Sequence, residues 1–85
     1  MTQDRVRIRR VSFTELDPLT AYALWRLRQQ VFVVEQASPY PDLDGRDTEP
    51  GTAHFLAEDD GTPVGCLRLL DDGTWARIGR VVVAA

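Results

Sequence analysis

The first hydrophobic pattern along the chain is an alternation over residues 5–13. Val6 and Ile8 point one way, and the arginines that flank them point the other. A two-residue period is typical of a strand with one buried face. This segment is therefore predicted to be a half-buried strand with its arginines on the solvated side.

Three further strand-like runs fill the last third of the chain, at residues 53–58, 63–70 and 75–83. The connectors between them contain Asp60-Gly61 and Asp72-Gly73. Asp-Gly favours positive φ at both central residues of a type I′ turn, the commonest tight hairpin link. The runs are therefore predicted to form an antiparallel three-stranded meander, with the first strand added to its edge.

Between these parts lies a segment with a helical period. Its apolar residues recur at three- and four-residue steps, namely Leu16, Leu19, Ala23, Leu24, Leu27, Val31 and Val34. Either Thr14 or Asp17 can cap the helix, and with Asp17 as the cap Pro18 falls at the first helical position. The pattern predicts an amphipathic helix that lies on a core.

The end of this helix carries conflicting signals. Residues 31–34 are β-branched and aromatic, which local propensity would place in a strand, but the apolar stripe continues through them and favours a helix. Pro39 and Pro41 then exclude a regular helix, so residues 37–52 are predicted to be a loop. The resulting order, β–α–loop–β–β–β, predicts an α+β fold.

Composition excludes some classes of function. The formal net charge is −3 and all ten basic residues are arginines, whereas a non-specific nucleic-acid binder needs a basic face. A solvated strand face is favoured over a basic arm for Arg5, Arg7, Arg9 and Arg10. Cys66 is the only cysteine, so no intramolecular disulfide forms and a reducing, cytoplasmic setting is expected. No apolar run is long enough for a signal peptide or a membrane span.

An acidic segment lies within the predicted loop, with Asp42, Asp44, Asp47 and Glu49 around Gly45. An EF-hand places acids at positions 1, 3 and 5 and glycine at position 6. Here glycine directly follows the second acid, so the register fails and no metal site is predicted. A solvated turn or the wall of a substrate cleft is the favoured interpretation.

His54 and the C-terminal strand each have two interpretations. A structural histidine that holds the loop by a hydrogen bond is favoured over a catalytic base. The three successive residues Val81, Val82 and Val83 indicate a strand covered on both faces, and Gly79 permits a bulge or the close approach of a ligand. A central strand is favoured by composition, and a strand that pairs with an extended ligand is compatible with it.

Three stretches together resemble the GNAT-fold N-acetyltransferases, especially their ElaA-like branch. They are residues 27–36 (LRQQVFVVEQ), 39–47 (PYPDLDGRD) and 78–83 (IGRVVV). The resemblance runs from about residue 15 to the end of the chain, and His54 lies where that branch has a histidine that opens the second strand. It implies the N-terminal half of the GNAT fold, and a partial domain over residues 1–85.

The resemblance also implies a chemistry. Enzymes of this fold transfer an acetyl group from acetyl-CoA, as co-substrate, to a small-molecule or peptide amine by direct attack. The main chain of Val81, Val82 and Val83 is implied to bind the pantetheine arm like an added strand. The first helix and its loop wall the amine site, which implies substrate contacts for Arg28, Glu35, Tyr40, Asp42 and Asp44.

The departures from the family pattern limit these expectations. The chain ends where the glycine-rich pyrophosphate loop should begin, so we expect a truncated product with weak or no acetyl-CoA binding, and we leave activity in these residues open. Some members place a glutamate base early in the fourth strand, but the corresponding stretch here is Trp75-Ala76-Arg77, and no catalytic acid or base is assigned. The alternative is a non-catalytic module that forms a homodimer, or pairs with a partner, through the open C-terminal strand edge. The acceptor amine is not specified.

Overall fold

The computed structural model describes residues 6–36 and 42–84 as one helical segment against one four-stranded sheet. The elements are β1 Val6–Val11, a 3₁₀ turn Phe13–Glu15, α1 Pro18–Arg28, a π-helical segment Gln29–Glu35, β2 Ala53–Asp59, β3 Thr62–Asp72 and β4 Trp75–Val83. This order confirms the predicted β–α–loop–β–β–β arrangement. No helix in the described ranges is long and apolar enough to cross a membrane.

The sheet has the strand order β1-β2-β3-β4, and every neighbouring pair is antiparallel. The meander and the addition of the first strand to its edge are therefore confirmed. At the β2–β3 hairpin, Asp60 and Gly61 have φ values of 53° and 86°. Positive φ at both central residues is the type I′ geometry that the Asp-Gly pair predicts.

The β3–β4 hairpin differs from its prediction. Asp72 still pairs with Trp75, so the two turn residues are Gly73 and Thr74 rather than Asp72 and Gly73. Only Gly73, with a φ of 82°, has a positive value in this turn, which fits type II′ with glycine at the first central position. The predicted type I′ turn is wrong here because the strand pairing extends one residue further.

Helix α1 is capped by Asp17, one of the two predicted caps. The backbone N–H of Thr20 donates to Asp17 Oδ1 at 3.3 Å, and Pro18 occupies the first helical turn. The run after Arg28 remains helical, as predicted, but with wider turns: the N–H of Gln36 donates to the carbonyl of Val31 at 3.1 Å. Segments of π-helix are uncommon and occur often at functional sites.

The buried face of α1 is rotated from the predicted stripe. Leu24 is 1% exposed and forms the core with Val11 and Leu56. Leu19, which the stripe places inward, is 82% exposed. Arg28, one turn after Leu24, is buried instead, because its charge is paired with those of Asp42 and Asp47.

Only one face of the sheet is covered by the described residues. Leu56, Cys66 and Val82 are partners across β2, β3 and β4, so they share the face on which Leu24 packs. On the opposite face, Val81 and Val83 are 57% and 77% exposed, against 4% for Val82. The prediction of a strand covered on both faces is therefore wrong for the described chain.

Gly73 and Gly79 provide a test of the β4 hairpin. A side chain at Gly73 would be held at positive φ, which costs about 1–2 kcal/mol. A Cβ at Gly79 would meet no atom within 4 Å and needs no positive φ. We expect Gly73→Ala to lower the free energy of unfolding in urea by about 1 kcal/mol, and Gly79→Ala to be neutral or slightly stabilising. Equal losses in both variants would contradict this turn assignment.

Candidate functional site

The first part of the site is the free edge of β4. Within residues 6–36 and 42–84, β4 is the last strand of the sheet and pairs only with β3. The N–H of Ala84 donates to the carbonyl of Val64 at 2.7 Å. A Cβ built on Gly65 would lie 3.1 Å from the Val82 carbonyl oxygen. Both observations turn the main chain of Val82 and Ala84 toward β3.

The main-chain groups of an extended strand point alternately to its two flanks. Because those of Val82 and Ala84 face β3, the N–H and C=O groups of Val81 and Val83 face the open flank. The segment therefore lies in a sheet with polar main-chain atoms available on one side. This is the geometry that binding of an extended ligand as an added strand requires.

A β-bulge interrupts β4 just before this segment. The pairs on either side are Arg68 with Gly79 and Cys66 with Val82. Arg80 and Val81 therefore both oppose Leu67, and a bulge of this kind bends the strand and increases its twist. The bulge lies one residue after Gly79, and Arg80 carries a φ of 53°. A non-glycine residue pays about 1–2 kcal/mol for this left-handed conformation.

The second part of the site is a closed ring of ion pairs, which we call the Arg–Asp ring. Its arginines come from α1, β3 and β4, and all of its aspartates come from the acidic loop. In order around the ring, the members are Arg28, Asp42, Arg80, Asp44, Arg68 and Asp47. Each arginine contacts two aspartates and each aspartate contacts two arginines, so the formal charges cancel.

Asp42 holds the helix and the edge strand together. Its Oδ1 lies 2.8 Å from Arg80 Nε, and its Oδ2 lies 3.2 Å from Arg28 Nε. Its backbone carbonyl accepts from Arg28 Nη2 at 3.1 Å and from Arg80 Nη2 at 3.0 Å. Asp42 therefore fixes the beginning of the described loop to both elements with its carboxylate and its main chain.

Asp47 and Asp44 complete the ring through Arg68. Asp47 Oδ1 lies 2.8 Å from Arg28 Nη1 and 3.2 Å from Arg68 Nη1. Asp44 Oδ1 accepts from Arg68 Nη1 at 2.9 Å, and its Oδ2 lies 3.3 Å from Arg80 Nη2. The hydrogen bond with Arg68 holds the pKa of Asp44 well below its usual range, and it raises the pKa of Arg68 in turn.

His54 binds the loop that contains the aspartates of the ring. Its Nε2 is 2.9 Å from the carbonyl oxygen of Asp47, and because a carbonyl only accepts, Nε2 carries the proton. Trp25 packs edge-on against the imidazole, with centroids 5.8 Å apart, and its ring lies 4.8 Å from the guanidinium carbon of Arg28. His54 is buried, so its predicted structural role in holding the loop is confirmed.

The structure separates the predicted substrate contacts into two groups. Arg28 and Asp42 are buried within the ring, and Asp44 lies in the ring with its side chain 29% exposed. Glu35 is exposed at the end of the π-helical segment, and Tyr40 falls outside the described residues. The acidic loop is not the solvated turn that its composition favours, because three arginines bind its aspartates. None of the described acids, histidines or cysteines forms a group that could hold a metal ion.

Sequence reasoning missed Arg68, Arg80 and Asp47. The signal that could have found the first two is an arginine inside an apolar strand, as in Leu67-Arg68-Leu69, since a buried arginine needs a partner. Cys66 adds no nucleophile to the site. Burial raises the pKa of its thiol to about 11, so the thiol is protonated at neutral pH.

Removing one aspartate tests the ring as a structural unit. Asp47→Ala would leave the buried charges of Arg28 and Arg68 with one partner fewer, and breaking a buried pair costs about 3–5 kcal/mol. We expect a loss of that size in the free energy of unfolding in urea. Glu49→Ala is the matched control, because among residues 6–36 and 42–84 the Glu49 carboxylate pairs with the partly exposed Arg46, three residues earlier in the sequence. Equal losses of unfolding free energy in the two variants would show that the ring adds no more stability than an exposed ion pair does.

Acid should weaken the ring through Asp44. Its pKa in the folded state is lowered from the ordinary 3.8, so the unfolded chain binds the proton more readily. The contribution is therefore fully present above pH 4 and is lost as the pH falls through the folded pKa. We expect Asp44→Asn to remove this part of the acid dependence of unfolding, and Asp60→Asn, in the exposed hairpin turn, to leave it unchanged. Parallel curves for Asp44→Asn and the native chain would refute this.

No protein-family model matches the chain, but curated relatives do. It is 47% identical over 79 residues to the UPF0039 protein Rv2851c of Mycobacterium tuberculosis, covering 87% of this chain and 51% of the relative. It is 42% identical over 74 residues to protein ElaA of Escherichia coli, covering 84% and 48%. The chain thus spans about half the length of the curated relatives it matches.

Solved structures agree with these relatives. An acyl-CoA N-acyltransferase from Pseudomonas aeruginosa superposes with a TM-score of 0.88 at 39% identity, over 93% of this chain and 56% of that one. The crystal structure of Escherichia coli ElaA gives a TM-score of 0.86 at 35% identity, over 93% and 55%. The chain thus has the fold of the GNAT acyl-CoA N-acyltransferases over about half of their length, and its sequence matches ElaA-like proteins.

Proposed function

We propose that this chain supplies the acyl-donor strand and part of the acceptor wall of an N-acetyltransferase that uses acetyl-CoA. The observation that carries the proposal is the bulged edge of β4, where Val81 and Val83 turn their main-chain groups to an open flank. The likeness to an acyl-CoA N-acyltransferase supports acyl transfer as the class of reaction. Acetyl-CoA as the donor and an amine as the acceptor are the finer parts of the proposal.

In this proposal the pantetheine arm lies along β4 as a short added strand. Its amides resemble a peptide, so they exchange hydrogen bonds with the outward main chain of Val81 and Val83. Val82 contributes differently, because its main chain faces β3 and its buried side chain anchors the strand to the core. An outward N–H in this segment also polarises the thioester carbonyl as negative charge develops on its oxygen.

The reaction is a direct transfer. The neutral amine nitrogen attacks the thioester carbonyl carbon, the new C–N bond forms and the C–S bond breaks. Coenzyme A leaves as a thiolate, and the proton lost by the amine balances its charge. Among the described residues we assign no acid or base to these proton transfers, since His54 is buried under the loop and Cys66 packs against the hydrophobic core.

The acceptor wall is proposed to form from the end of the helical region and the acidic loop. Glu35 is exposed there and is the favoured contact for a cationic amine, since opposite charges attract. Asp44 lies at the accessible side of the ring, although its charge is shared with two arginines. Tyr40 remains a proposed contact, whereas Arg28 and Asp42 would act through the shape of the loop that they hold.

A second candidate function is a self-associating module without catalysis. The exposed Val81, Val83 and Ile78 side chains lie on the free edge strand, and an open edge of this kind can pair with a second chain. Light scattering after size-exclusion chromatography separates a monomer from a strand-paired dimer. A dimer that protects the Val83 amide from exchange and shows no response to acetyl-CoA would favour this alternative.

The donor role is tested by acetyl-CoA titration of the isotopically labelled chain, followed by amide shifts. We expect weak binding, with the largest shifts at Val81 and Val83. Val83→Pro should weaken the response, because proline has no N–H, and should spare the fold, because this N–H faces away from β3. Val83→Ala keeps the N–H and is the matched control.

Two further measurements judge this titration. Adenosine 3′,5′-bisphosphate lacks the pantetheine arm and should leave the β4 amides unshifted. Release of free thiol with a panel of amines then measures transfer itself. Shifts confined to β1, or a Val83→Pro variant that binds as well as the native chain, would refute the donor role of β4.

A further inference from the structure

We infer that Arg80 is a positioning residue for the acyl donor, because its ion pairs with Asp42 and Asp44 hold the backbone conformation that creates the β4 bulge. The inference rests on the proposed function, since it assigns a cause to the geometry of the donor strand. It also gives Asp42, otherwise a candidate substrate contact, a role in shaping the donor side.

The conformation at Arg80 is one that its own backbone disfavours. Its φ of 53° lies in the left-handed region, and such residues persist only where the surroundings over-determine them. Glycine would adopt this conformation without a penalty. Gly79 is the adjacent residue, yet the positive φ falls on the arginine. The bend is therefore specified by the contacts of the Arg80 side chain and not by the backbone flexibility of a glycine.

The side chain of Arg80 is held at several points. Its Nε lies 2.8 Å from Asp42 Oδ1, and its Nη2 donates to the Asp42 carbonyl at 3.0 Å. The same Nη2 lies 3.3 Å from Asp44 Oδ2. On the main chain, Cys66 Sγ donates to the Arg80 carbonyl oxygen at 3.7 Å. These contacts fix both ends of the residue, and the direction of Val81 follows from them.

The ring extends this control to the acceptor wall. Asp42 binds Arg28 at the end of α1 as well as Arg80 in β4. A displacement of the acidic loop therefore changes the contacts that hold the bulge, and straightening of the bulge changes the contacts that hold the loop. The two substrate sides are expected to be coupled through this carboxylate.

Two substitutions at Arg80 separate backbone strain from side-chain positioning. Arg80→Ala loses the ion pairs and keeps the strain, so it should lower both stability and acetyl-CoA affinity. Arg80→Gly also loses the ion pairs but relieves the strain. We expect it to regain stability relative to Arg80→Ala while acetyl-CoA binds about tenfold more weakly than to the native chain. Asp42→Asn, which leaves the sequence of β4 intact, should alter the bulge and weaken binding in the same direction.

The bulge itself gives a readout that does not need the ligand. Contacts between the α-protons of Gly65 and Val83, a non-hydrogen-bonded pair beyond the bulge, are measured by nuclear Overhauser effects and report the register on that side. Amide exchange at Val81 reports the open flank. Arg77→Ala is the control, since Arg77 lies on the same strand in an exposed pair with Asp72, 3.0 Å between Nε and Oδ2.

The outcomes are distinct. An unchanged register and Val81 exchange in Arg80→Gly and Asp42→Asn would overturn the inference, whatever acetyl-CoA does. A changed register with native acetyl-CoA affinity would overturn its link to the donor. If the native chain shows no response to acetyl-CoA at millimolar concentration, the proposed function fails, and the register alone then decides whether Arg80 shapes the strand.

Discussion

Compensation of buried arginine charge is the constraint on which the structure depends. Arg28 is almost fully buried where a helix meets a sheet, and an unpaired charge at such a depth would be prohibitively expensive. The acidic loop supplies the compensation, with one aspartate for each of the three arginines in the ring. Prolines and a glycine exclude regular secondary structure in this loop, and the ion pairs bind it to α1, β3 and β4. The shapes of the acidic loop and of the β4 edge thus have a common origin.

The sequence was informative wherever a structure depends on near neighbours. The positions of the strands and the Asp60-Gly61 turn follow from alternation and from the φ preference of glycine. The predicted face of β1 is wrong, because Ile8, assigned to the buried side, is 68% exposed. Asp17 caps α1 because its side chain reaches the N–H of Thr20, one turn away. The family resemblance further indicated the free flank of β4. Leu19 and Arg28 show where local patterns fail. The apolar stripe assigned Leu19 to the core, but the ion pairs made burial of Arg28 possible and rotated the helix.

The parts of the site that could not be predicted all depend on contacts between distant residues. Gly79 gave a local signal for a bulge, yet the left-handed residue is Arg80, whose conformation is held by acids about 40 positions earlier. The aspartates appeared as a solvated cluster for the same reason, since their partners lie on three separate elements. Spacing within the loop contains no information about those partners.

A buried ionic ring is a poor way to gain stability, because well-packed apolar side chains of similar volume often stabilise a fold as much or more. The distinguishing property of the ring is that its contacts are directional. Each guanidinium presents its donors in a fixed plane, and each carboxylate of the ring meets two of them at set distances. Apolar packing tolerates small rotations of the loop or the bulge more readily than the hydrogen-bonded pairs of the ring do, since those depend on the orientation of both groups. This explains why charged groups occupy the junction of loop, helix and edge strand, where they set the orientation of the loop and of the β4 main chain.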